Sequence, residues 1–412
     1  MKSRPCAGPS AARAAKTRNR EAGEAPDPAD RAGPAGADRQ AKGKKMVDFS
    51  NLFRPGIQTT KPYAPGKPIE EVQRELGLER VIKLASNENP EGPLPAVIEA
   101  IHKAARDINR YPDAACYNLT SKLAEHLDVT PESIIFGNGS NEVIDMLIRA
   151  LVSPGQNVVF SHHSFIVYHL TTSVHFESGR PVPLMAGDKH DLQAMADQVD
   201  EQTKLVLVCN PNNPTGTYNT REEFDAFLAR IPENVIVAVD EAYYEYVMAD
   251  DYPQTMDLRA DHPNLVILRT FSKIHSLAGL RVGYGVGHPS LIGQLHKTRE
   301  PFNVNMLSQA AAIACLENWH EVEGRARRNR EQLEWMAAEL TALGLQVVPS
   351  QTNFILVRCD GDAGRLTNEL LHKGVIVRPM HAFGLGEGAL RISVGLPQEN
   401  QACITALKEI LA

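Results

Sequence analysis

The stretch TFSKIHSLAGLRVGYG, residues 270–285, decides how the chain is read. It begins where the apolar run LVILR (265–269) stops, so Ser272 and Lys273 stand just beyond the end of a buried strand. A loop lysine is ordinarily solvated. One held at the mouth of a sheet has its ammonium pKa depressed by burial and by neighbouring cations, and then becomes a nucleophile. What the other strands end in decides between the two.

Outward from that stretch, residues 133–287 alternate short apolar runs with amphipathic segments. SIIFG (133–137), NVVF (157–160), KLVLVC (204–209), NVIVAVD (234–240), NLVILR (264–269) and VGYGVG (282–287) read as strands. REEFDAFLAR places Phe224, Phe227 and Leu228 at helical spacing between two of them. Strands apolar on both faces, alternating with helices, predict an α/β fold whose mainly parallel sheet is flanked by helices. Beyond about residue 302 come longer helical patterns (307–319 and 325–343) and the runs QVVPS, FILVRC, VIVRP and LRISVG, which suggest a smaller α+β domain. The expected organisation is an extension over 1–45, an arm and part of the small domain over 46–111, a large domain over 112–301, and a C-terminal small domain over 302–412.

The 412-residue chain has a formal charge of −7, with a basic start: residues 1–45 carry 11 Lys or Arg against 5 Asp or Glu. They contain no Val, Ile, Leu, Phe, Tyr or Trp, so we expect disorder there. Their acidic residues and lack of an apolar run argue against a targeting peptide, and their lack of aromatics against a nucleic-acid tail. Met46 reads as the start of the folded part. No apolar run approaches the roughly 20 residues of a membrane span. Six scattered cysteines form no CxxC pair, which suits a reduced, cytoplasmic protein.

In such sheets ligands bind beyond the carboxyl ends of the strands. After SIIFG, Gly137 and Gly139 permit a tight turn into a helix whose first amides, on Ser140 and Asn141, would face an anion. After KLVLVC comes NPNNPTG, a turn whose Asn213 side chain can hydrogen-bond a ring substituent. After NVIVAV comes DEAYYEY: Asp240 ends a buried run and calls for a cationic partner, either a structural salt bridge or a ligand, and Tyr243 adds a phenol. Together with Ser272, Lys273 and Arg281 these groups suit one ligand bearing a phosphate, a ring cation, a phenolic oxygen and an aldehyde. Pyridoxal 5′-phosphate has all four.

On LASNENPEGP, RYPD, FGNGSNE, CNPNNPTG, DEAYYEY, TFSKIHSLAGLRVGYG and LRISVG, residues 49–412 resemble the fold-type I pyridoxal-phosphate-dependent aminotransferases. Within them the chain is similar to members that act on histidinol phosphate. The resemblance implies a seven-stranded-type sheet, a homodimer with shared active sites, and small-molecule substrates, histidinol phosphate and glutamate. It also implies residue roles. Lys273 would bond the cofactor aldehyde and then carry the proton at the reacting carbon, and Asp240 would keep the ring nitrogen protonated. Asn213 and Tyr243 would hold the ring oxygen, while Phe165 would stack on the ring. The phosphate would be held by Ser140, Asn141, Ser272 and Arg281, with Tyr111 reaching in from the neighbouring subunit. For substrate it points to Arg391 and Arg378 as anion-binding arginines, to Asn87, and to Tyr63 reaching the neighbour's substrate. The same fold also hosts aromatic aminotransferases and threonine-phosphate decarboxylase, which stay open as alternatives. No metal site is expected: His162 and His163 lack ligand spacing, and HEVEG at 320–324 fails HExxH.

Overall fold

The computed structural model describes residues 49–63 and 66–412; the extension over 1–45, and with it the expectation of disorder, lies outside the described residues. Seven strands make one sheet: β1 (Ile134–Gly137), β2 (Asn157–Ser161), β3 (Gly179–Val182), β4 (Thr203–Cys209), β5 (Ile236–Asp240), β6 (Leu265–Thr270) and β7 (Gly283–Val286). Their order is β1-β7-β6-β5-β4-β2-β3. β7 runs antiparallel to both its neighbours, and the other pairs are parallel.

Successive residues of a strand point to opposite faces, and here both faces are covered. Leu205, Leu207, Ala238, Val266 and Leu268 pack on one side with Val143, Ile144 and Leu147 of helix α1 (Ser140–Leu151). Val206, Val208, Val237, Val239 and Ile267 pack on the other with Phe224 and Phe227 of α3 (Arg221–Leu228), the helix α2 (Ile166–Val174) lying between these two in the chain. A capping box between Thr220 and Glu223 starts α3.

β3 was not legible in the sequence. Its residues, GRPV, bury only Val182, and Pro181 is tolerated because the strand lies at the edge.

A second sheet of four strands, antiparallel throughout, comprises β8 (Gln346–Val347), β9 (Phe354–Arg358), β10 (Arg378–Pro379) and β11 (Ala389–Ser393), in the order β8-β9-β11-β10. VIVRP, expected as one strand, divides. Val375–Ile376 pairs in parallel with Ile82–Lys83, and only Arg378–Pro379 joins the four-stranded sheet. Helix α4 (Trp319–Ala342) begins six residues earlier than the pattern at 325 indicates, and Gly324 does not interrupt it.

One charge pair is sunk in the larger sheet. Arg269 of β6 meets Glu241, just after β5, at 2.8 Å, with side chains 6% and 0% exposed. Glu241 also accepts from Thr255 Oγ1 at 2.6 Å, and Arg269 lies 3.5 Å from the Tyr244 ring centroid. Removing one partner strands the other's charge away from water. Glu241→Ala is therefore expected to cost about 3–5 kcal/mol, read as a lower urea midpoint; an unchanged midpoint would show the pair to be dispensable.

Candidate functional site

The carboxyl ends of β4, β5 and β6 and the start of α1 converge on one cavity, lined by Lys273, Asp240, Asn213, Ser272, Ser140 and Arg281 among others. Two glycines permit this convergence. Gly139 has φ 78°, and a Cβ built there would lie 2.5 Å from a guanidinium nitrogen of Arg281. A Cβ on Gly283 of β7 would collide with the Ser140 amide nitrogen. Arg281, itself at φ 58°, donates to Ser272 Oγ at 3.4 Å and to the Ala278 carbonyl at 3.3 Å. The first amides of α1, the Ser272 hydroxyl and a guanidinium thus form a cradle for an anion.

Asp240 departs from the salt bridge considered for it. Among the described residues no cation pairs with it; the neighbouring Glu241 takes the arginine instead. Asp240 accepts from Tyr168 Oη at 2.9 Å and from the Ala242 amide at 3.2 Å. Burial pushes its carboxyl up to about 6, against the opposing effect of those two donors and of Lys273. A buried carboxylate with two neutral donors and no cation fits a ligand that brings its own positive charge. Lys273 is pushed the other way. Burial, followed by the Arg391 and Arg281 guanidiniums, lowers it to about 8, although Glu88 and Asp240 pull it upward.

A second cavity adjoins the first and shares Lys273, Asn213 and Phe165 with it. Its far wall carries Arg378 and Arg391, directly opposite each other on β10 and β11. Arg391 donates to Asn213 Oδ1 at 2.6 Å and to the Ala85 carbonyl at 2.9 Å. Burial, with repulsion from Arg378, lowers it to about 10. The bond to Oδ1 leaves the Asn213 amide NH2 to donate into the first cavity. Asn87, held at φ 53°, donates to Tyr243 Oη at 3.0 Å and accepts from Ser393 Oγ at 3.1 Å. Phe165 stands at the start of α2, edge-on to Tyr168 with ring centroids 5.8 Å apart.

Two residues were expected to act across a subunit boundary. Tyr111 lines neither cavity; it is 81% exposed and stacks on Phe302 at 4.7 Å. Tyr63 lines the second cavity of its own chain, because the arm before it packs on α2, with Gly56 so close to the Ser173 carbonyl that a Cβ would not fit. Sequence reasoning missed Glu88, which faces the first cavity, and Tyr168. Tyr168 falls three residues after Phe165, hence on the same helical face, and that spacing was the available signal. His162 and His163 pack ring against ring at 4.4 Å, and no cluster suited to a metal occurs among the described residues.

Comparison with known proteins identifies the family. The family described as "Aminotransferase class I and II" matches residues 79–407. The chain is 46% identical over 360 residues to the histidinol-phosphate aminotransferase of Halalkalibacterium halodurans, covering 87% of this chain and 97% of the relative. It is 45% identical to histidinol-phosphate aminotransferase 2 of Pseudomonas aeruginosa, covering 89% and 100%. Among solved structures, histidinol-phosphate aminotransferase of Sinorhizobium meliloti in complex with pyridoxal-5′-phosphate superposes with a TM-score of 0.79 at 30% identity, over 89% of this chain and 99% of that one.

The state of Lys273 can be read without any ligand. Competitive labelling of lysines by an amine-selective reagent in the cofactor-free protein, followed by mass spectrometry, is expected to show Lys273 gaining reactivity as pH rises through about 8. The sign follows from the neutral amine being the nucleophile. A midpoint at the ordinary lysine value would mean that the side chain is solvated.

Proposed function

The chain belongs to the aminotransferase class I and II family, and from that premise we propose that it exchanges an amino group between L-glutamate or 2-oxoglutarate and histidinol phosphate or imidazole-acetol phosphate, using pyridoxal 5′-phosphate, in L-histidine biosynthesis. The observation that carries the substrate reading is the pair Arg378 and Arg391 facing each other on β10 and β11 in the cavity that adjoins Lys273. One site must accept glutamate and also an amine that bears a phosphate ester but no α-carboxylate. Guanidinium forks bind either anion through paired hydrogen bonds, so two of them serve both half-reactions.

The bound cofactor supplies a protonated ring that accepts electrons when a bond at the substrate's α-carbon is broken. The chain's residues do the rest. The Ser140 and Asn141 amides, Ser272 and Arg281 hold the phosphate. Asp240 accepts the ring N–H, with Tyr168 fixing the orientation of its carboxylate. Tyr243 and the Asn213 amide donate to the ring oxygen, and the face of Phe165 covers the ring. Lys273 would be the residue that holds the aldehyde carbon, and once its amine is free Nζ would take the proton from the substrate's amine-bearing carbon and hand it to the carbon that had been the aldehyde. That task requires a neutral amine, and the lowered pKa makes the neutral fraction far larger than that of a solvated lysine.

The reading includes a homodimer. In it Tyr111, exposed on its own chain, reaches the partner subunit's cofactor phosphate, and the exposed Phe49, Leu52 and Phe53 of the arm meet the partner. No helix among the described residues is long and apolar enough to cross a membrane. The reading takes the enzyme to work in the cytoplasm, and the free cysteines Cys116, Cys209, Cys315, Cys359 and Cys403 support it.

An absorbance titration of the holoenzyme tests the substrate assignment. Histidinol phosphate is expected to bleach the visible band of the lysine-bound cofactor, 2-oxoglutarate to restore it with glutamate as product, and Lys273→Ala to abolish both changes. Carbon dioxide release without glutamate, or equal turnover of phenylalanine, would replace the assignment. Tyr168→Phe removes a donor that holds the Asp240 carboxyl down. The acid limb of kcat/KM against pH is therefore expected to move upward from the parent's position, and an unmoved limb would show that this hydrogen bond does not tune Asp240.

A further inference from the structure

Behind Lys273 the chain makes a tight turn whose supports come from two remote segments. The Ser276 amide donates to the Lys273 carbonyl at 3.0 Å, and Ser276 sits at φ 61°, a left-handed conformation that a non-glycine residue holds only when its surroundings enforce it. One of those supports is Arg325, six residues into α4 and only 5% exposed. Its guanidinium donates to the Ile274 carbonyl at 3.1 Å, to Ser276 Oγ at 2.8 Å and to the Gly92 carbonyl at 2.5 Å, and its Nε stands 3.4 Å from the Glu91 carboxylate.

The second support is the segment that Arg325 grips at the same time. Asn89 Nδ2 donates to the Ile274 carbonyl at 2.8 Å, and Ser276 Oγ donates to the Glu91 carbonyl at 2.8 Å. Arg328, one turn further along α4, takes both Glu91 carboxylate oxygens at 2.7 Å. Ile274 is itself buried against Val322 and Ala326 of α4 and against Tyr243. The segment held in this way continues back to Asn87, which bonds the Tyr243 hydroxyl, and to Glu88, which faces the cavity.

We propose that Arg325 is a positioning residue for the amino-transfer reaction, its planar fork clamping the Lys273–Ser276 turn to the Asn87–Gly92 segment so that the Lys273 amine and the Asn87–Tyr243 pair keep one fixed relation. Arg325 touches neither cavity's contents. It acts on the proton carrier through the backbone. A lysine in its place would keep the charge opposite Glu91, but a single ammonium cannot span the Ile274 and Gly92 carbonyls as a fork does. Misplacing a catalytic group by about 1 Å costs on the order of 10²-fold in rate.

This inference rests on the aminotransferase reading, and its test uses the glutamate half-reaction of the holoenzyme, which proceeds whatever the second substrate is. Failure of the parent protein in that half-reaction would count against the functional reading; a parent that works isolates the clamp. Arg325→Lys and Arg325→Met are expected to lower the single-turnover rate by about 10²-fold while leaving the glutamate concentration for half-maximal rate within about twofold, because Arg378 and Arg391 are untouched. In the cofactor-free variants, the labelling midpoint of Lys273 is expected to move above that of the parent as the amine leaves its embedded position. Unchanged rate and midpoint in Arg325→Lys would overturn the proposal, as would equal losses in rate and in glutamate binding. Should the Arg325 variants fail to fold, Ser276→Ala, which deletes one hydroxyl between the two segments, carries the test: a rate several-fold lower at unchanged glutamate binding supports the clamp, and a parental rate overturns it.

Discussion

The site is organised around a carboxylate that the sheet keeps away from cations. Asp240 ends β5, the middle strand of the sheet's order, directly opposite Cys209 across the parallel ladder, with Tyr168 and the Ala242 amide as its hydrogen-bond donors. Burying an anion under those terms is unfavourable, which is why its carboxyl rises to about 6. The cost falls when a bound ring brings a proton within reach. A salt bridge at this position would have satisfied Asp240 within the protein and left nothing to recognise a ring cation. The arginine of the neighbouring strand is accordingly consumed one residue further on, by Glu241.

The cations near that anion line different parts of the two cavities, which separates their roles. Arg281 lies at the phosphate cradle, Arg391 and Arg378 on the wall of the adjoining cavity, and Lys273 between them. Burial, with two of these guanidiniums, lowers the lysine to about 8, so charges suited to anions also raise the neutral fraction of the amine. Neither task needs a dedicated residue. Gly139 and Gly283 allow the close approach of Arg281 and of β7 to the start of α1.

Much of this was legible because parallel strands buried on both faces read as apolar runs, and their ends can be located to within a residue or two. Lys273, Asp240, Asn213 and the Ser140 amide follow from that, since each lies at the end of such a run or within four residues of it. The edge strand β3 was not legible, because GRPV buries one residue and contains a proline. The division of VIVRP between two sheets was hidden for another reason: pairing partners are chosen by segments nearly 300 residues away, Ile82–Lys83 in one case. Tyr168 acts through another group, and its spacing from Phe165 was its one signal; Arg325 escaped because an arginine inside an amphipathic helix has no local feature that separates it from an ordinary surface residue.

The site's two halves belong to different layers of the molecule, and this bears on how one fold supports several reactions. The groups suited to the cofactor come from strand ends and a helix start of the seven-stranded sheet, where a shift of register would turn every side chain to the wrong face. The groups suited to substrate come from β10, β11 and the arm, short elements joined to the sheet by side-chain bonds such as Arg391 to Asn213 and Asn87 to Tyr243. Changing Arg378 leaves the first set's bonds standing, whereas changing Arg391 also frees Asn213 Oδ1 and removes a charge that lowers Lys273. On the proposed reading, bond-breaking chemistry is tied to the sheet, whereas the choice of anion rests with Arg378 and Arg391, the latter joined to the sheet through Asn213.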